Sequence, residues 1–503
     1  MTVIKYLEET ANQFPNKIAI IDEFGEITFS NLRSSAMKLA RVISKEVMGQ
    51  RSCPVLIYLP KGIQSIVAFL GTAYSGNIYT PTDVKFPIKK VKSVLEELEP
   101  QVIITSRAGM DKLVENDVNA RYIVIDEVDR QIELDNEEFE ISNQIIDMDP
   151  VYVFFTSGST GRPKGVTITH QSICDYIDWA ADKFKVMEHE IIGNQAPFYF
   201  DNSILDIYLC LKTGATLHVI PEKLFSFPVR LMEYVNEKKM SFLFWVPSVL
   251  CRIANDKILD IVELNGVKKV LFCGEVMPNK QLNYWREKMK DVMFVNLYGP
   301  TEITDVCTYY IVNRMFLDDA PLPIGYPCEN TDVFLLDKYD KKVSTPGIQG
   351  EICVRGRSLS VGYLNAEEIT KKKFCQNPLN TKYPEKIYRT GDIGHYNTDG
   401  ELMFDGRKDY QIKHMGHRIE LGEIESSVIG LEGIEQAVSL YNDNKKQIVL
   451  VYIGYLSKGD IQKKLATRLP KYMIPTQYIG IDSFPHNQNG KIDRIKLKET
   501  YIN

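Results

Sequence analysis

The segment Val153–Val166 reads VFFTSGSTGRPKGV and joins an apolar run to a loop of small residues. The apolar run is typical of a strand, and Ser, Thr and Gly let backbone amides and hydroxyls close around phosphate oxygens. Lys164 can then neutralise phosphate charge. Pro163 precedes this lysine and Gly165 replaces the Ser or Thr that holds magnesium in a Walker A motif, so the loop is of another kind. The segment predicts a phosphate-binding loop after a strand; the alternative is a flexible linker.

Short β-branched runs alternate with amphipathic helical patterns on both sides of this loop. Examples are CPVLIYL followed by QSIVAFLGTAY, and later ATLHVIP, FLFWVP, KKVLFCG and MFVNLYG. This alternation predicts parallel sheets of doubly wound type. From about Pro321 short strands with Gly and Asn turns indicate a smaller β-rich subdomain. The predicted fold class is α/β, with an N-terminal core of two doubly wound subdomains and the β-rich subdomain over 1–408, and a small α+β C-terminal domain over 409–503.

The composition narrows the class of protein. The chain has 503 residues, more than the roughly 250 to 300 at which a single core stops growing. Its net charge of -6 gives no global attraction to nucleic acid or anionic lipid. No stretch approaches the roughly 20 apolar residues of a membrane span. The nine cysteines never form CxxC, which favours a reducing cytoplasm over a disulfide framework or a zinc site.

Four further segments follow the phosphate loop in order. They are YGPTE at 298–302, YRTGD at 388–392, GRKD at 406–409 and NGK at 489–491. Together with the loop, they resemble the adenylate-forming superfamily of acyl-CoA synthetases, peptide-synthetase adenylation domains and luciferases, over essentially the whole chain. The resemblance implies an ATP- and Mg²⁺-dependent ligase that activates a carboxylic acid as its acyl-adenylate and passes it to a thiol.

Individual residues of these segments have chemical reasons for their roles. Glu302 is the candidate magnesium ligand, because a carboxylate near three phosphates is tolerable mainly in that role; it could instead cap a helix. Asp392 can accept both ribose hydroxyls, or could be a turn residue. The resemblance places the ring of Tyr298 on adenine. The predicted ATP site comprises Thr156, Ser157, Gly158, Ser159, Thr160, Gly161, Lys164, Glu275, Asn296, Tyr298, Gly299, Thr301, Asp392 and Arg407.

Lys491 is the predicted catalytic residue besides Glu302. A mobile ammonium can offset the negative charge that accumulates when a carboxylate attacks the α-phosphate; a surface lysine is the alternative. In the family the C-terminal domain swings between adenylation and thioester formation, with the hinge at the position of Asp409. The loop from His414 to Arg418 would then line the path of the arriving thiol.

Asp201 decides which acid is activated. In amino-acid-activating members an Asp follows the aromatic of Phe200 and faces the substrate α-ammonium, and a buried ammonium without a partner is costly. Asp201 could also cap the helix that follows, and the two roles are not exclusive. Motif alignment predicts a substrate pocket of Asp201, Asn202, Leu205, Trp245, Leu271, Cys273, Leu297, Asp305 and Val306.

Two segments resemble the D-alanine:carrier protein ligases more closely, namely Gln195–Pro197 with Phe200 and Asp201, and Phe272–Val276. Trp245 and three leucines favour a small side chain. Asn202 and Asp305 depart from an apolar lining, and the carboxylate could meet a hydroxyl or an amine. D-alanine, L-alanine, serine, glycine and other short polar amino acids therefore stay open.

The chain contains no GGxSL-like phosphopantetheine site, so a separate carrier protein is predicted as the partner. We expect a cytoplasmic monomer that binds neither nucleic acid nor membrane. An acyl-CoA ligase acting on a non-amino acid is the alternative enzyme. A non-catalytic nucleotide sensor is disfavoured, because Glu302, Asp392 and Lys491 are all present.

Overall fold

The computed structural model describes residues 1–128, 144–156, 162–408, 411–485 and 492–502. The chain divides into two compact units. The first comprises Met1–Val84, Leu98–Phe154 and Gly165–Lys408; the second comprises Lys85–Glu97, Phe155–Lys164 and Asp409–Asn503. The second unit thus contains two short segments from earlier in the chain. The functional division into domains 1–408 and 409–503 stays a prediction.

A nine-stranded sheet forms the centre of the first unit. Its strands, in spatial order, are β15 (Tyr326–Pro327), β14 (Thr308–Ile311), β13 (Met293–Tyr298), β12 (Lys269–Phe272), β11 (Phe242–Trp245), β9 (Ile191–Asn194), β10 (Thr216–Val219), β1 (Ile18–Ile21) and β2 (Glu26–Thr28). The strands from β13 to β1 run parallel, and the outer ones pair antiparallel. Six parallel strands with helical crossovers are the doubly wound pattern that the sequence predicts.

A second sheet of seven strands carries the strand before the phosphate loop. In spatial order it contains β19 (Gly362–Tyr363), β8 (Lys164–Thr169), β7 (Pro150–Thr156), β4 (Ile78–Pro81), β3 (Pro54–Tyr58), β5 (Val102–Thr105) and β6 (Tyr122–Val124). The central strands are buried on both faces, as their continuous apolar runs require.

Helices cover these sheets in two groups. The helices of the first unit are α1 (Val3–Gln13), α2 (Phe29–Glu46), α3 (Ile63–Tyr74), α5 (Arg107–Val114), α6 (His170–Lys183), α7 (Asn202–Thr213), α8 (Pro228–Glu237), α9 (Pro247–Asn255), α10 (Asn279–Lys288) and α11 (Glu367–Lys373). Apolar side chains of α1, α2, α3, α6 and α7 join one large buried cluster. Those of α8, α9 and α10 join another on the opposite face of the nine-stranded sheet.

The first strand of the β-rich subdomain begins at Thr331, somewhat later than the predicted change near Pro321, because β15 still belongs to the nine-stranded sheet. The antiparallel sheet of this subdomain contains β17 (Lys342–Val343), β16 (Thr331–Leu336), β18 (Gly350–Gly356), β21 (Lys386–Tyr396) and β20 (Phe374–Gln376), with β22 (Leu402–Arg407) paired to β21. The sheet holds the YRTGD segment within β21 and the start of GRKD at the end of β22.

The second unit combines helices with two small sheets. Most of α4 (Ile88–Leu98) belongs to it, with α12 (Leu421–Ile429), α13 (Lys458–Ala466) and α14 (Arg494–Tyr501). One sheet pairs β23 (Gln411–His414) with β24 (His417–Glu420); the other contains β25 (Ile434–Asn442), β26 (Gln447–Gly454) and β27 (Gln477–Gly480). Together with the first unit, these elements confirm the predicted α/β fold class.

Candidate active site

Most predicted site residues of the first unit lie just beyond the carboxyl ends of parallel strands. Asp201 follows β9, Cys273 and Glu275 follow β12, and Glu302 and Asp305 follow β13. In open α/β sheets ligands bind in the crevice outside these strand ends. The doubly wound sheet therefore gathers residues that are far apart in the sequence at one edge.

Asp392 is the centre of a buried polar cluster. The Tyr298 hydroxyl donates to its Oδ2, and the Arg407 guanidinium donates to its Oδ1. Arg407 also donates to the Thr390 carbonyl at 3.2 Å, while the backbone N–H of Asp392 donates to the Thr390 hydroxyl at 2.9 Å. Burial raises the pKa of Tyr298 well above its ordinary value, and the Asp392 charge raises it further. The structure thus brings together three residues of the predicted ATP site, from YGPTE, YRTGD and GRKD.

Glu351 supports this cluster from the next strand. The Arg389 guanidinium donates to its Oε2 at 3.1 Å and the Lys408 ammonium donates to the same oxygen at 3.2 Å. Its Oε1 accepts the backbone N–H of Gly391 at 3.2 Å. Sequence reasoning missed Glu351, because nothing in GEICVRG distinguishes it from an exposed strand residue.

Glu302 lies in a short helical turn, Thr301–Ile303, directly after β13. Its side chain is buried, and its Oε1 accepts a hydrogen bond from the Tyr363 hydroxyl at 2.8 Å. A buried carboxylate without such a donor would be costly. Tyr363 was not predicted; its position in β19, a two-residue strand, carries no sequence signal. A buried carboxylate oxygen is also the donor type that Mg²⁺ prefers, so the residue fits the predicted metal role.

The loop from Gly299 to Cys307 packs tightly against itself. A Cβ on Gly299 would lie 2.2 Å from the Asp305 carbonyl oxygen and 2.8 Å from the Val306 Cα. The backbone N–H of Cys307 donates to the Tyr298 carbonyl at 2.9 Å. Steric crowding therefore requires glycine at position 299. The hydrogen bond of Cys307 holds the loop close to the end of β13.

Asp201 stands at the start of α7. Its Oδ1 accepts the backbone N–H of Asn202 at 3.1 Å, and its carbonyl accepts the N–H of Ile204 at 2.8 Å. The residue as a whole is 9% exposed. Asp201 thus caps α7, which is one of the two roles that the sequence allows. Its second role, binding the substrate ammonium, stays a prediction.

The apolar pocket residues fall on one face of the nine-stranded sheet, with one exception. Leu271, Cys273 and Leu297 belong to the same buried cluster as Leu205 and Val306. Trp245 pairs in register with Phe272, one residue along from the pair of Phe244 and Leu271. Since successive strand residues point to opposite faces, Trp245 lies on the other face, in the second cluster. Its indole N–H donates to the Gly193 carbonyl at 2.9 Å.

Asn296 and Glu275 have structural partners. The Asn296 amide donates to the Pro323 carbonyl at 2.8 Å. Glu275 accepts the backbone N–H of Ser248 at 2.8 Å, in the first turn of α9. Asn202 is buried, and Thr301 is buried in the turn that carries Glu302. Their contacts with ATP or substrate stay predictions.

The remaining predicted site residues either lie outside the described residues or belong to the second unit. Ser157, Gly158, Ser159, Thr160, Gly161, Asp409 and Lys491 lie outside the described residues. Thr156 ends β7 and Lys164 begins β8, both within the second unit.

The two histidines of the predicted thiol path are packed within the second unit. The His414 Nδ1 lies 3.2 Å from the Tyr441 hydroxyl. The His417 ring stacks on Tyr472 with 3.5 Å between ring centroids. Burial lowers the pKa of His417 to about 3, with His414 contributing. His417 is thus neutral near pH 7.

An α/β core with buried carboxylates at the carboxyl ends of its parallel strands is typical of nucleotide-binding enzymes. The family described as "AMP-binding enzyme" matches residues 7–364. The chain belongs to this family, and it is an ATP-dependent adenylate-forming ligase.

The chain spans different shares of the known proteins that it resembles. A D-alanine--D-alanyl carrier protein ligase of Bacillus cytotoxicus is 31% identical, with 99% of this chain and 99% of the relative covered. Tyrocidine synthase 1 of Brevibacillus parabrevis is 28% identical over 99% of this chain, which spans only 45% of that relative. A solved structure of a holo-NRPS protein with adenylation and PCP domains has a TM-score of 0.83 at 23% identity, covering 99% of this chain and 84% of that one. The last likeness concerns the fold.

Proposed function

We propose that the chain activates a small amino acid as its aminoacyl-AMP, with release of pyrophosphate, and then transfers it to the phosphopantetheine thiol of a separate carrier protein. The observation that carries the proposal is Asp201, a nearly buried carboxylate at the start of α7, beyond the carboxyl end of β9. A carboxylate in that position favours a substrate that carries an ammonium group, because burial of either charge alone is costly.

ATP and Mg²⁺ are the proposed cofactors. Asp392, held by Tyr298 and Arg407, is the proposed ribose acceptor, since a carboxylate can accept two hydroxyl donors. Glu302, held by Tyr363, is the proposed magnesium ligand. When bound, Mg²⁺ would neutralise phosphate charge.

Lys491 is the proposed source of positive charge in the adenylation step. Asp409 is the proposed hinge, and residues 409–503 the mobile domain that withdraws Lys491 before thiolation. Lys491→Ala should therefore slow adenylation while transfer from preformed adenylate survives.

The proposed partner is a carrier protein supplied in trans. Two similar proteins support this partner. One relative is named a D-alanine--D-alanyl carrier protein ligase, and one similar solved structure contains a PCP domain. Among the residues that the structure describes, no helix combines the length and hydrophobicity that a membrane crossing needs. A monomeric state and a cytoplasmic location stay predictions.

Amino-acid-dependent exchange of labelled pyrophosphate into ATP tests the proposal. The panel should contain D- and L-amino acids together with acetate and benzoate. A small amino acid should give the highest kcat/KM, and Asp201→Ala should lower it by at least about 100-fold, the loss expected when a buried charge keeps no partner. Asp182→Ala, at an exposed site on α6, is the matched control. Exchange driven only by acids without an amine would overturn the proposal in favour of an acyl-CoA ligase.

A further inference from the structure

Lys61 follows β3 of the seven-stranded sheet and reaches the carboxyl end of β9 in the nine-stranded sheet. Its ammonium donates to the carbonyl of Gln195, the first residue after β9, at 3.0 Å. It also lies 3.5 Å from the carbonyl oxygen of Asn194, the last residue of that strand. Hydrogen bonds from a charged donor are stronger than those between neutral groups. One side chain therefore joins the two sheets at the edge where the predicted site residues lie.

The backbone on both sides of Lys61 is held in place. The Ser65 hydroxyl, in the first turn of α3, donates to the Pro60 carbonyl at 2.7 Å. The backbone N–H of Ile63 donates to the Asp22 Oδ2 at 2.9 Å. Because Asp22 directly follows β1, this bond links the two sheets a second time. Lys61 thus extends from a fixed point, which limits the positions that its ammonium can reach.

The loop after β9, residues 195–201, contacts this ammonium at a second point. The Lys61 Nζ lies 5.7 Å from the centroid of the Phe198 ring, within the range of a cation–π contact. Phe198 is buried, and its ring meets Phe69 of α3 edge-on, with 5.8 Å between the ring centroids. The Gln195 Oε1 accepts the backbone N–H of Val246 at 3.3 Å, at the end of β11. The first half of the loop is therefore anchored, and Lys61 is one of its anchors.

Consecutive hydrogen bonds connect this anchored half of the loop to Asp201. The backbone N–H of Phe200 donates to the Pro197 carbonyl at 3.0 Å. Ser203 donates to the Phe200 carbonyl with its N–H at 3.0 Å and with its hydroxyl at 2.6 Å. Asp201 lies between these residues and caps α7 at the N–H of Asn202. A shift of the loop near Lys61 therefore moves the Asp201 carboxylate as well.

We infer that Lys61 is a positioning residue for the recognition of the amino acid: its ammonium holds the loop after β9 so that the Asp201 carboxylate faces the substrate ammonium. The inference rests on the proposed function, in which Asp201 binds that ammonium. Lys61 acts through Gln195 and Phe198 and needs no contact with the substrate. Without it, the Gln195 carbonyl loses a charged donor, and a loop that has lost such a partner shifts to find another.

The expected consequence is a selective loss in the recognition of the amine. The attraction between two charges falls with their distance, and a group misplaced by about 1 Å at a site can cost about 100-fold in rate. A displaced Asp201 weakens the binding of the substrate ammonium. Asp392 and Glu302 follow or belong to other strands and keep their own partners. The KM for the amino acid should therefore rise while the KM for ATP does not.

The test is pyrophosphate exchange with the purified protein, comparing a small amino acid with the acid that lacks its α-amine, such as alanine with propionate. Lys61→Met replaces the ammonium by an apolar group of similar length. We expect the KM for the amino acid to rise about 10-fold, and the ratio of kcat/KM between the two acids to fall about 10-fold. The KM for ATP should stay within about two-fold, since sites without shared partners act independently. Lys61→Arg keeps the charge and the donors and should restore most of the ratio.

Lys17→Met is the matched control, because Lys17 makes the same kinds of contact at the opposite edge of the nine-stranded sheet. Its ammonium donates to the carbonyls of Glu188 and Gly214 and lies 5.9 Å from the centroid of the Phe14 ring. These two carbonyls precede the amino ends of β9 and β10. Lys17→Met should leave the ratio between the two acids within about two-fold. Thermal midpoints of both variants measure the loss of stability that they share.

The outcomes separate the inference from the proposed function. An unchanged ratio in Lys61→Met, or a rise in the KM for ATP as large as that for the amino acid, overturns the inference while amino-acid activation stands. An equal fall of the ratio in Lys17→Met would show a general effect of stability and overturns it as well. If Lys61→Met does not fold, Lys61→Gln takes its place, with the same expected direction. If the unmodified protein activates no amino acid better than the acid without the amine, the proposed function fails and the inference fails with it.

Discussion

At the scale of single residues, the carboxylates of the site are held by phenols from distant elements. Tyr298 donates to Asp392, Tyr363 to Glu302 and Tyr176 to Asp305. A phenol donates one hydrogen bond without bringing a charge. Such a partner orients the carboxylate, and at Asp392 the Arg407 guanidinium donates a second hydrogen bond.

Tyr363→Phe should weaken the response to Mg²⁺. The change removes the 2.8 Å hydrogen bond to the Glu302 Oε1 and keeps the ring. Loss of a partner that orients a metal ligand typically costs 10- to 100-fold in metal affinity, so we expect the Mg²⁺ concentration at half-maximal exchange to rise about 10-fold. Tyr396→Phe is the control, since the Tyr396 hydroxyl donates to a backbone group, the Val333 carbonyl, at 3.4 Å. An unchanged Mg²⁺ midpoint in Tyr363→Phe would remove Glu302 from the proposed metal role.

At the scale of elements, the loop after β13 carries both Glu302 and Asp305, and Gly299 sets its path. Gly299→Ala would place a methyl group 2.2 Å from the Asp305 carbonyl oxygen, so the loop must shift. A displacement of about 1 Å at a catalytic site can cost about 100-fold in rate, and we expect a loss of that size in exchange. Gly25→Ala is the control, because its Cβ would meet no atom within 4 Å. Activity within two-fold of the unmodified protein would show that the loop is not a rigid support.

The elements themselves were predictable, but their side-chain contacts were not. The runs FLFWVP, KKVLFCG and MFVNLYG form β11, β12 and β13. Period-two alternation predicts a strand but does not say which of its faces packs against which helix. Motif alignment therefore assigned Trp245 and Leu271 to one predicted substrate pocket, whereas in the structure they lie on opposite faces of the sheet. Tyr176 and Asp305 are 129 residues apart, and no local pattern links them.

At the scale of the whole molecule, a buried acid makes the stability of the first unit depend on pH. Asp206, on α7, is fully buried, and its Oδ2 accepts the Asn194 side-chain amide at 2.7 Å. Burial raises the pKa of Asp206 to about 8, although Asn194 and Lys61 act to lower it. The folded protein therefore keeps this proton up to about pH 8, whereas the unfolded chain releases it near pH 4. The stability from neutral Asp206 is complete below about pH 4 and is lost as the pH rises through about 8.

The prediction compares the free energy of unfolding of the unmodified protein with that of Asp206→Asn between pH 5.5 and 8.5. In the unmodified protein the free energy of unfolding should fall, relative to Asp206→Asn, by about 1.4 kcal/mol per pH unit until about pH 8, because the two states differ by one proton. Asparagine keeps the shape and the neutral charge of the protonated acid. Burial lowers the pKa of His170 and of His218, but both histidines are common to the two proteins, so their contributions cancel. Asp182→Asn is the control: the exposed Asp182 has its pKa lowered by Lys185, and its contribution is constant above about pH 5. Thermal midpoints at a series of pH values measure the difference; parallel curves for the unmodified protein and Asp206→Asn would mean that Asp206 is already ionised in the folded state.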